Sequence, residues 1–370
     1  MHHHTSIAEQ FVSFKRVLDV HEFGNGNIND TYLVTTDVDE RTRPQEKHFI
    51  LQRINTQVFK HPYLIMQNMR TFTEHMRTRA RLEGHRWVMP RVISACDGHD
   101  FFIDPNGNFW RAISYVYGTQ SFETIKDSRL AYEVGYALGT FQYLISDLPI
   151  GKLADTLEGF HIMPRYLQGF DQAFSHNGHK SSAEVTYCLK FVEKRRELAY
   201  LLENARERGE LQLRPVHGDP KVNNVMIEES TGRALSLVDL DTVKPGLIHY
   251  DIGDCMRSGC NPLGEETENW EAVHFDPEIG AAILEGYLTQ ARHFLTAADY
   301  DYLFDSIRLL AFELGLRFFT DYLAGDVYFK VKHSQHNLQR ALVQFKLAES
   351  IEAHEGDIRH IIQGMVSPAT

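Results

Sequence analysis

Hydrophobic positions divide the chain into two regimes. Residues 31–35 (Thr-Tyr-Leu-Val-Thr) mix β-branched and aromatic side chains and predict a strand, directly after the turn-rich stretch 23–30 (Phe-Gly-Asn-Gly-Asn-Ile-Asn-Asp). The apolar run 48–54 predicts another. Between 62 and 82, Leu64, Ile65, Met69, Phe72 and Met76 recur near the helical period and predict a helix. Strands are expected at 100–104 and 109–117, with Asn106-Gly107 between them as a hairpin signal. After Gly118 the pattern changes. Val134, Ala137, Leu138, Phe141, Leu144 and Ile145 predict a helix over 128–147. A charged amphipathic helix is expected over 187–207, short strands and loops over 211–243, and an almost wholly helical stretch over 277–353. No internal repeat is evident. This order predicts an α+β fold of two lobes, 1–117 and 118–370, with a cleft between them.

The 370 residues are 43% hydrophobic and 24% charged, ordinary for a globular chain able to bury a sizeable core. A formal net charge of −12 argues against nucleic-acid or anionic-membrane partners, whose phosphates would be repelled. Cys96, Cys188, Cys255 and Cys260 are too few and too irregular for a disulfide framework or a zinc site, so reduced thiols in a cytoplasm are expected. No run of 18 apolar residues and no apolar signal core is present. His2, His3 and His4 are left out of any metal assignment, whether native or a cloning remnant. A monomer or a weak homodimer is the expected state.

Chemistry concentrates at 216–227, Val-His-Gly-Asp-Pro-Lys-Val-Asn-Asn-Val-Met-Ile. Asp219 and Asn224 keep the spacing of a kinase catalytic loop, Asp followed five positions later by Asn. An acceptor hydroxyl must be oriented and lose a proton, which calls for a carboxylate. Mg²⁺ on phosphates prefers hard oxygen ligands such as an Asn carbonyl. Lys221 would place positive charge on the transferring γ-phosphoryl group. His217 is read as ordering the loop. Downstream, Leu235 to Val238 is a short apolar strand ending in Asp239, placed as the metal-binding Asp of the kinase Asp-Phe-Gly motif is. The competing reading, a turn with Asp and Asn capping local backbone, accounts for either half alone but not for their joint occurrence.

The nucleotide end is less marked. Gly24, Gly26 and Asn27 precede a predicted strand and could drape backbone amides over phosphates, although the third glycine of the kinase pattern is absent and an ordinary hairpin turn is the alternative. Kinases carry a Lys on the third strand. Here Gln52 stands at that place and Arg53 beside it, and strand neighbours point to opposite faces, so only one can enter the cleft. Glu74 on the following helix could pair with such a cation or lie on the surface. Tyr115 and Val116, at the expected joint, complete the nucleotide-contacting candidates.

Together these motifs resemble the aminoglycoside phosphotransferase and choline kinase superfamily. Further stretches are similar to bacterial N-acetylhexosamine 1-kinases: 26–32 (Gly-Asn-Ile-Asn-Asp-Thr-Tyr), 51–55, 238–246, 250–254, 313–318, 321–323 and 325–330. The resemblance covers most of the chain. It implies a protein-kinase-like fold, ATP and Mg²⁺ as cofactors, Asp219 as base, and Asn224 and Asp239 as metal ligands. It also implies a sugar held near Thr242, Arg317 and Tyr328, and an N-acetylhexosamine 1-phosphate as product. Gln52 departs from the superfamily's usual cation. Read from the residues alone, Glu313, Arg317 and Asp321 lie four apart and could form ion pairs along one helix face instead. The acidic segment 251–254 suits sugar hydroxyls or a cationic acceptor such as choline or an aminoglycoside. Intact Asp219, Asn224 and Asp239 weigh against a non-catalytic binding module.

Overall fold

In the computed structural model, described for residues 2–12, 16–24, 28–37, 47–177 and 181–366, the chain forms two compact units. The first comprises 1–119 with two later segments, 148–158 and 238–244. It opens with helix α1 (His2–Ala8) and strands β1 (Val17–Glu22), β2 (Asp30–Thr36) and β3 (His48–Ile54). Helix α2 (Pro62–Glu83) follows, then β4 (Val92–Ile93), β5 (Phe102–Ile103) and β6 (Phe109–Ser114). The short strand β7 (Thr119–Gln120) spans the point where the chain leaves this unit. The sheet runs β1-β2-β3-β6-β4, with β5 also on β6, antiparallel throughout. Alternation along its strands sorts the faces. Tyr32, Val34, Phe49, Leu51, Trp110 and Ala112 pack with Ile7, Ala8 and Phe11 in one apolar cluster. Gln52, on the opposite face of β3, stands directly across from Arg111 of β6.

The two later segments are tied to this unit by polar groups of α2. Buried Asn68 donates to the carbonyls of Ala154 (2.8 Å) and Val243 (3.1 Å) and accepts from the Ala154 amide. Lys244 donates to the Asp155 carboxylate at 2.6 Å.

The second unit is mainly helical: α3 (Ser128–Ile145), α4 (Met163–Asn177), α5 (Ala183–Lys194) and α6 (Leu201–Glu207). Short strands β8 (Arg214–Val216), β9 (Val225–Glu228), β10 (Ala234–Leu237) and β11 (Lys244–Gly246) follow. Then come α7 (Ile248–Gly259), α8 (Pro277–Ala291), α9 (Ala297–Asp301), α10 (Leu303–Ala324), α11 (His336–Ala353) and α12 (Glu355–Val366). Two expectations are corrected. The single helix over 187–207 is broken at Arg195, whose backbone leaves the helical region and whose guanidinium grips Glu352 on α11 through Nε and Nη2. The strand expected at 100–104 shrinks to β5, because Asp104 turns its carboxylate onto the Asn106 and Asn108 amides and closes the loop instead.

Helices α3 and α8 meet backbone to backbone. A Cβ on Gly135 would fall 1.9 Å from the Ile283 carbonyl oxygen, and one on Gly286 would fall 2.0 Å from that of Tyr132. No side chain fits at either point. Among the described residues no helix is long and apolar enough to cross a membrane, and none of the four cysteines forms a disulfide.

Candidate functional site

In the first unit the candidate residues gather around the 238–244 segment. Asp239 takes a left-handed backbone (φ 60°, ψ 60°), uncommon for a non-glycine residue and a conformation that tends to persist where function requires it. It opens the 3-10 turn Leu240–Thr242. Two residues on, the Asp241 carboxylate is buried. It forms an ion pair with Arg111 and accepts from Asn29 Nδ2 at 2.5 Å.

Gln52 carries no charge itself but orients one. Its Oε1 accepts from Arg111 Nε (3.0 Å) and Nη2 (2.6 Å), while its Nε2 donates to Thr31 Oγ1. Arg53, on the other face of β3, is exposed and paired with Asp30. Glu74 pairs with Arg70 one turn earlier on α2 and is exposed. The cation beside Gln52 is therefore Arg111, which stands on β6 and not on the third strand. Its signal was a charge inside the otherwise apolar run Phe-Trp-Arg-Ala-Ile.

Gly24 has a left-handed φ of 77°, which suits glycine. Gly26 and Asn27 lie outside the described residues. Tyr115 sets its ring edge-on to Phe23, 6.1 Å between centroids, and Val116 is buried with its carbonyl held by Thr119.

In the second unit the chain turns sharply after β8. Gly218 has φ 86°, and the His217 and Gly218 amides both donate to the buried Asp251 carboxylate, each at 2.8 Å. Gln142 donates to Asp251 as well (2.9 Å). Burial pushes the Asp251 carboxyl up to about 6 against these three donors, which favour its ionised form. Asp219 follows. Lys221 Nζ lies 3.0 Å from its Oδ2, and Asn224 Nδ2 donates to its carbonyl oxygen at 2.7 Å. With its nitrogen so engaged, Asn224 keeps its amide oxygen for another partner. That oxygen and the Asp239 carboxylate are hard donors of the kind Mg²⁺ takes. His217 is buried and accepts from the Asp219 amide through Nδ1, a loop-ordering position.

Of the residues expected near an acceptor, Arg317 and Tyr328 lie in this unit and Thr242 in the 238–244 segment of the first. Arg317 on α10 lies among three rings, its guanidinium carbon 5.3 Å from the Phe160 centroid, 5.2 Å from Tyr166 and 5.5 Å from Phe329. Glu313 stands 4.0 Å from it. Asp321 does something else: it accepts the amides of Val327, Tyr328 and Phe329 and an amide hydrogen of Asn337, which shapes the turn carrying the exposed Tyr328. The helix-face ion-pair reading thus holds for Glu313 and Arg317 alone. Asp254 is buried against Arg257, which also meets Glu265 at 3.1 Å. Both Arg257 and Arg317 feel the charge of Asp219.

A model of the phosphotransferase enzyme family (APH) matches residues 19–297, well over half of the chain. Among solved structures, an aminoglycoside phosphotransferase from Alicyclobacillus acidocaldarius superposes with a TM-score of 0.64 at 14% identity, over 97% of this chain and 96% of its own. A microcompartment-associated aminopropanol kinase gives 0.62 at 18% identity over 96% and 99%, and choline kinase from Cryptosporidium parvum 0.58 at 14% over 94% and 91%. The α+β fold is protein-kinase-like, and the chain is a small-molecule kinase. It belongs to the phosphotransferase enzyme family.

Proposed function

We propose that the chain transfers the γ-phosphate of ATP, with Mg²⁺, to the anomeric hydroxyl of an N-acetylhexosamine. In this reading Asp219 orients the acceptor hydroxyl and takes its proton. Lys221 and Arg111 supply positive charge toward the phosphates. Asn224 and Asp239 supply oxygen ligands to Mg²⁺, which when bound neutralises charge on the β- and γ-phosphates. Thr242, Arg317 and Tyr328 contact the sugar, and Gly24, Gly26, Asn27, Gln52, Tyr115 and Val116 the nucleotide.

One observation carries the choice of a neutral acceptor. The acidic groups around His161 and the 217–218 amides are already matched: Asp254 with Arg257, Glu313 with His161, and Asp251 with backbone amides. Arg257 and Arg317 both feel the charge of Asp219. Such a balance leaves an ammonium group little unmatched carboxylate charge, whereas sugar hydroxyls can accept from the Arg317 guanidinium. The sequence stretches similar to N-acetylhexosamine 1-kinases support the same acceptor.

An ADP-release screen over N-acetylglucosamine, N-acetylgalactosamine, neutral hexoses, choline and kanamycin tests it. Turnover with an N-acetylhexosamine is expected. Turnover with choline or kanamycin and no sugar would replace the acceptor, leaving the phosphotransferase chemistry intact. In the same assay Arg317→Ala should raise KM for the sugar and leave KM for ATP nearly constant.

A further inference from the structure

His161 was not among the residues the sequence singled out. It lies just before α4, buried at 5% exposure, with a left-handed backbone (φ 64°). Its Nε2 is 2.7 Å from the Gly218 carbonyl oxygen and its Nδ1 is 2.8 Å from Glu313 Oε1. A carbonyl oxygen only accepts, so Nε2 carries a hydrogen; Nδ1 and the Glu313 carboxylate share a second. Gly218 immediately precedes Asp219, and its amide is already held by Asp251. Gly218 is thus held at both its amide and its carbonyl.

We propose that His161 is a positioning residue for the catalytic loop, holding the Gly218 carbonyl and through it the backbone that presents Asp219. The assignment rests on the reading of Asp219 as base. Glu313 links this brace to Arg317, while Phe160, the neighbour of His161, lies beside the Arg317 guanidinium. The acceptor residues and the loop are therefore coupled through one dipeptide. The charged and titratable groups facing His161 are Glu313 and Arg317 on α10, Tyr250, Asp251 and Asp254 on α7, and Tyr166 on α4. Burial opposes an imidazolium here, but Glu313 and the Gly218 carbonyl outweigh it and raise the His161 pKa.

Two near-isosteric variants separate this role from simple packing. His161→Asn keeps a donor where Nδ1 was and loses the Gly218 contact; His161→Gln keeps a donor where Nε2 was. ADP release is followed with the best acceptor of the panel, or as basal MgATP hydrolysis if none turns over, beside melting curves. His161→Asn should lower kcat about 100-fold with KM for ATP unchanged, the scale of a misplaced catalytic group, and His161→Gln should recover most of that loss. Backbone strain cannot produce this order, because Asn tolerates the left-handed region better than Gln. Equal kcat in the two variants overturns the proposal. If the Asn variant does not fold, His161→Gly, suited to φ 64°, takes its place: regained turnover on adding imidazole supports the brace, and no rescue overturns it. Asp219→Asn runs in parallel. Full turnover there removes the base assignment whatever the His161 variants do; a dead Asp219→Asn beside wild-type-like His161 variants removes the brace alone.

Discussion

Each unit buries an ionic pair that touches its candidate chemistry, Arg111–Asp241 in the first and His161–Glu313 in the second, and these two pairs are built differently. In the first unit Arg111 meets Asp241, and Gln52 and Asn29 complete the network. Arginine side chains in proteins are cations as a class, which makes this pair a fixed element. In the second unit His161 meets Glu313, with Asp251 of α7 holding the same 217–218 backbone. The Asp251 carboxyl, raised to about 6 by burial, changes charge under mild acid, whereas the His161 imidazole, raised above its ordinary value by Glu313 and the Gly218 carbonyl, loses its charge as the pH rises. The contrast assigns a permanent electrostatic frame to the 238–244 segment and a pH-sensitive one to the 217–219 segment.

The contrast breaks hardest at Arg111. Arg111→Met leaves Asp241 buried without its cation, a change expected to cost about 3–5 kcal/mol. Urea unfolding should show that loss, and the double variant with Asp241→Asn should recover much of it. A single variant as stable as the parent would mean that the pair is not the frame described. Glu313→Gln in the second unit should cost less, about 1–3 kcal/mol, because His161 can discharge where Arg111 cannot. Matched urea curves for the two variants decide the ranking.

The pH dependence sharpens the comparison further. The Asp251 carboxyl is raised from 3.8 to about 6 in the folded state. Protonation therefore favours folding: this group's stabilising contribution is present below about pH 4 and is lost as the pH rises through about 6. Activity should run the other way, since the ionised carboxylate is the better acceptor for the His217 and Gly218 amides. A kcat profile that falls below about pH 6, and an Asp251→Asn variant that lacks this limb, are expected. A flat wild-type profile down to pH 5 would exclude Asp251 as its source. The smallest effect belongs to the surface. Arg53→Ala breaks an exposed pair with Asp30 and should change stability by less than about 1 kcal/mol. Its KM for ATP should match the parent's if Arg111 is the working cation, whereas a large rise would return that role to Arg53.

What could be read beforehand follows from how far apart the informative residues lie. The catalytic-loop motif is contiguous, and β2, β3, α2 and α3 carry clear periodicity over their own lengths, so each was visible as a pattern. The brace was not. His161 and Glu313 are 152 positions apart, and Gln52 and Arg111 are 59 apart. No local spacing announces such pairs; only the β3–β6 register and the packing of α10 create them. The break of the 187–207 helix at Arg195 has the same origin, since its partner Glu352 lies in α11. Asp251 was noticed as acidity, but whether that acidity is free to meet a substrate or is spent on backbone amides depends on tertiary structure alone.

The crossing of α3 and α8 bears on how this kinase can be rebuilt. Where side chains separate two helices, a graft from a relative can settle by exchanging rotamers. Here main chain touches main chain at Gly135 and Gly286, and no rotamer exists to exchange. The two helices are consequently a single unit of exchange. A chimera that imports α8 without the matching α3 should fail to fold whichever acceptor-binding residues it carries, while one that moves the pair together leaves the rest of the helical unit free to be redesigned.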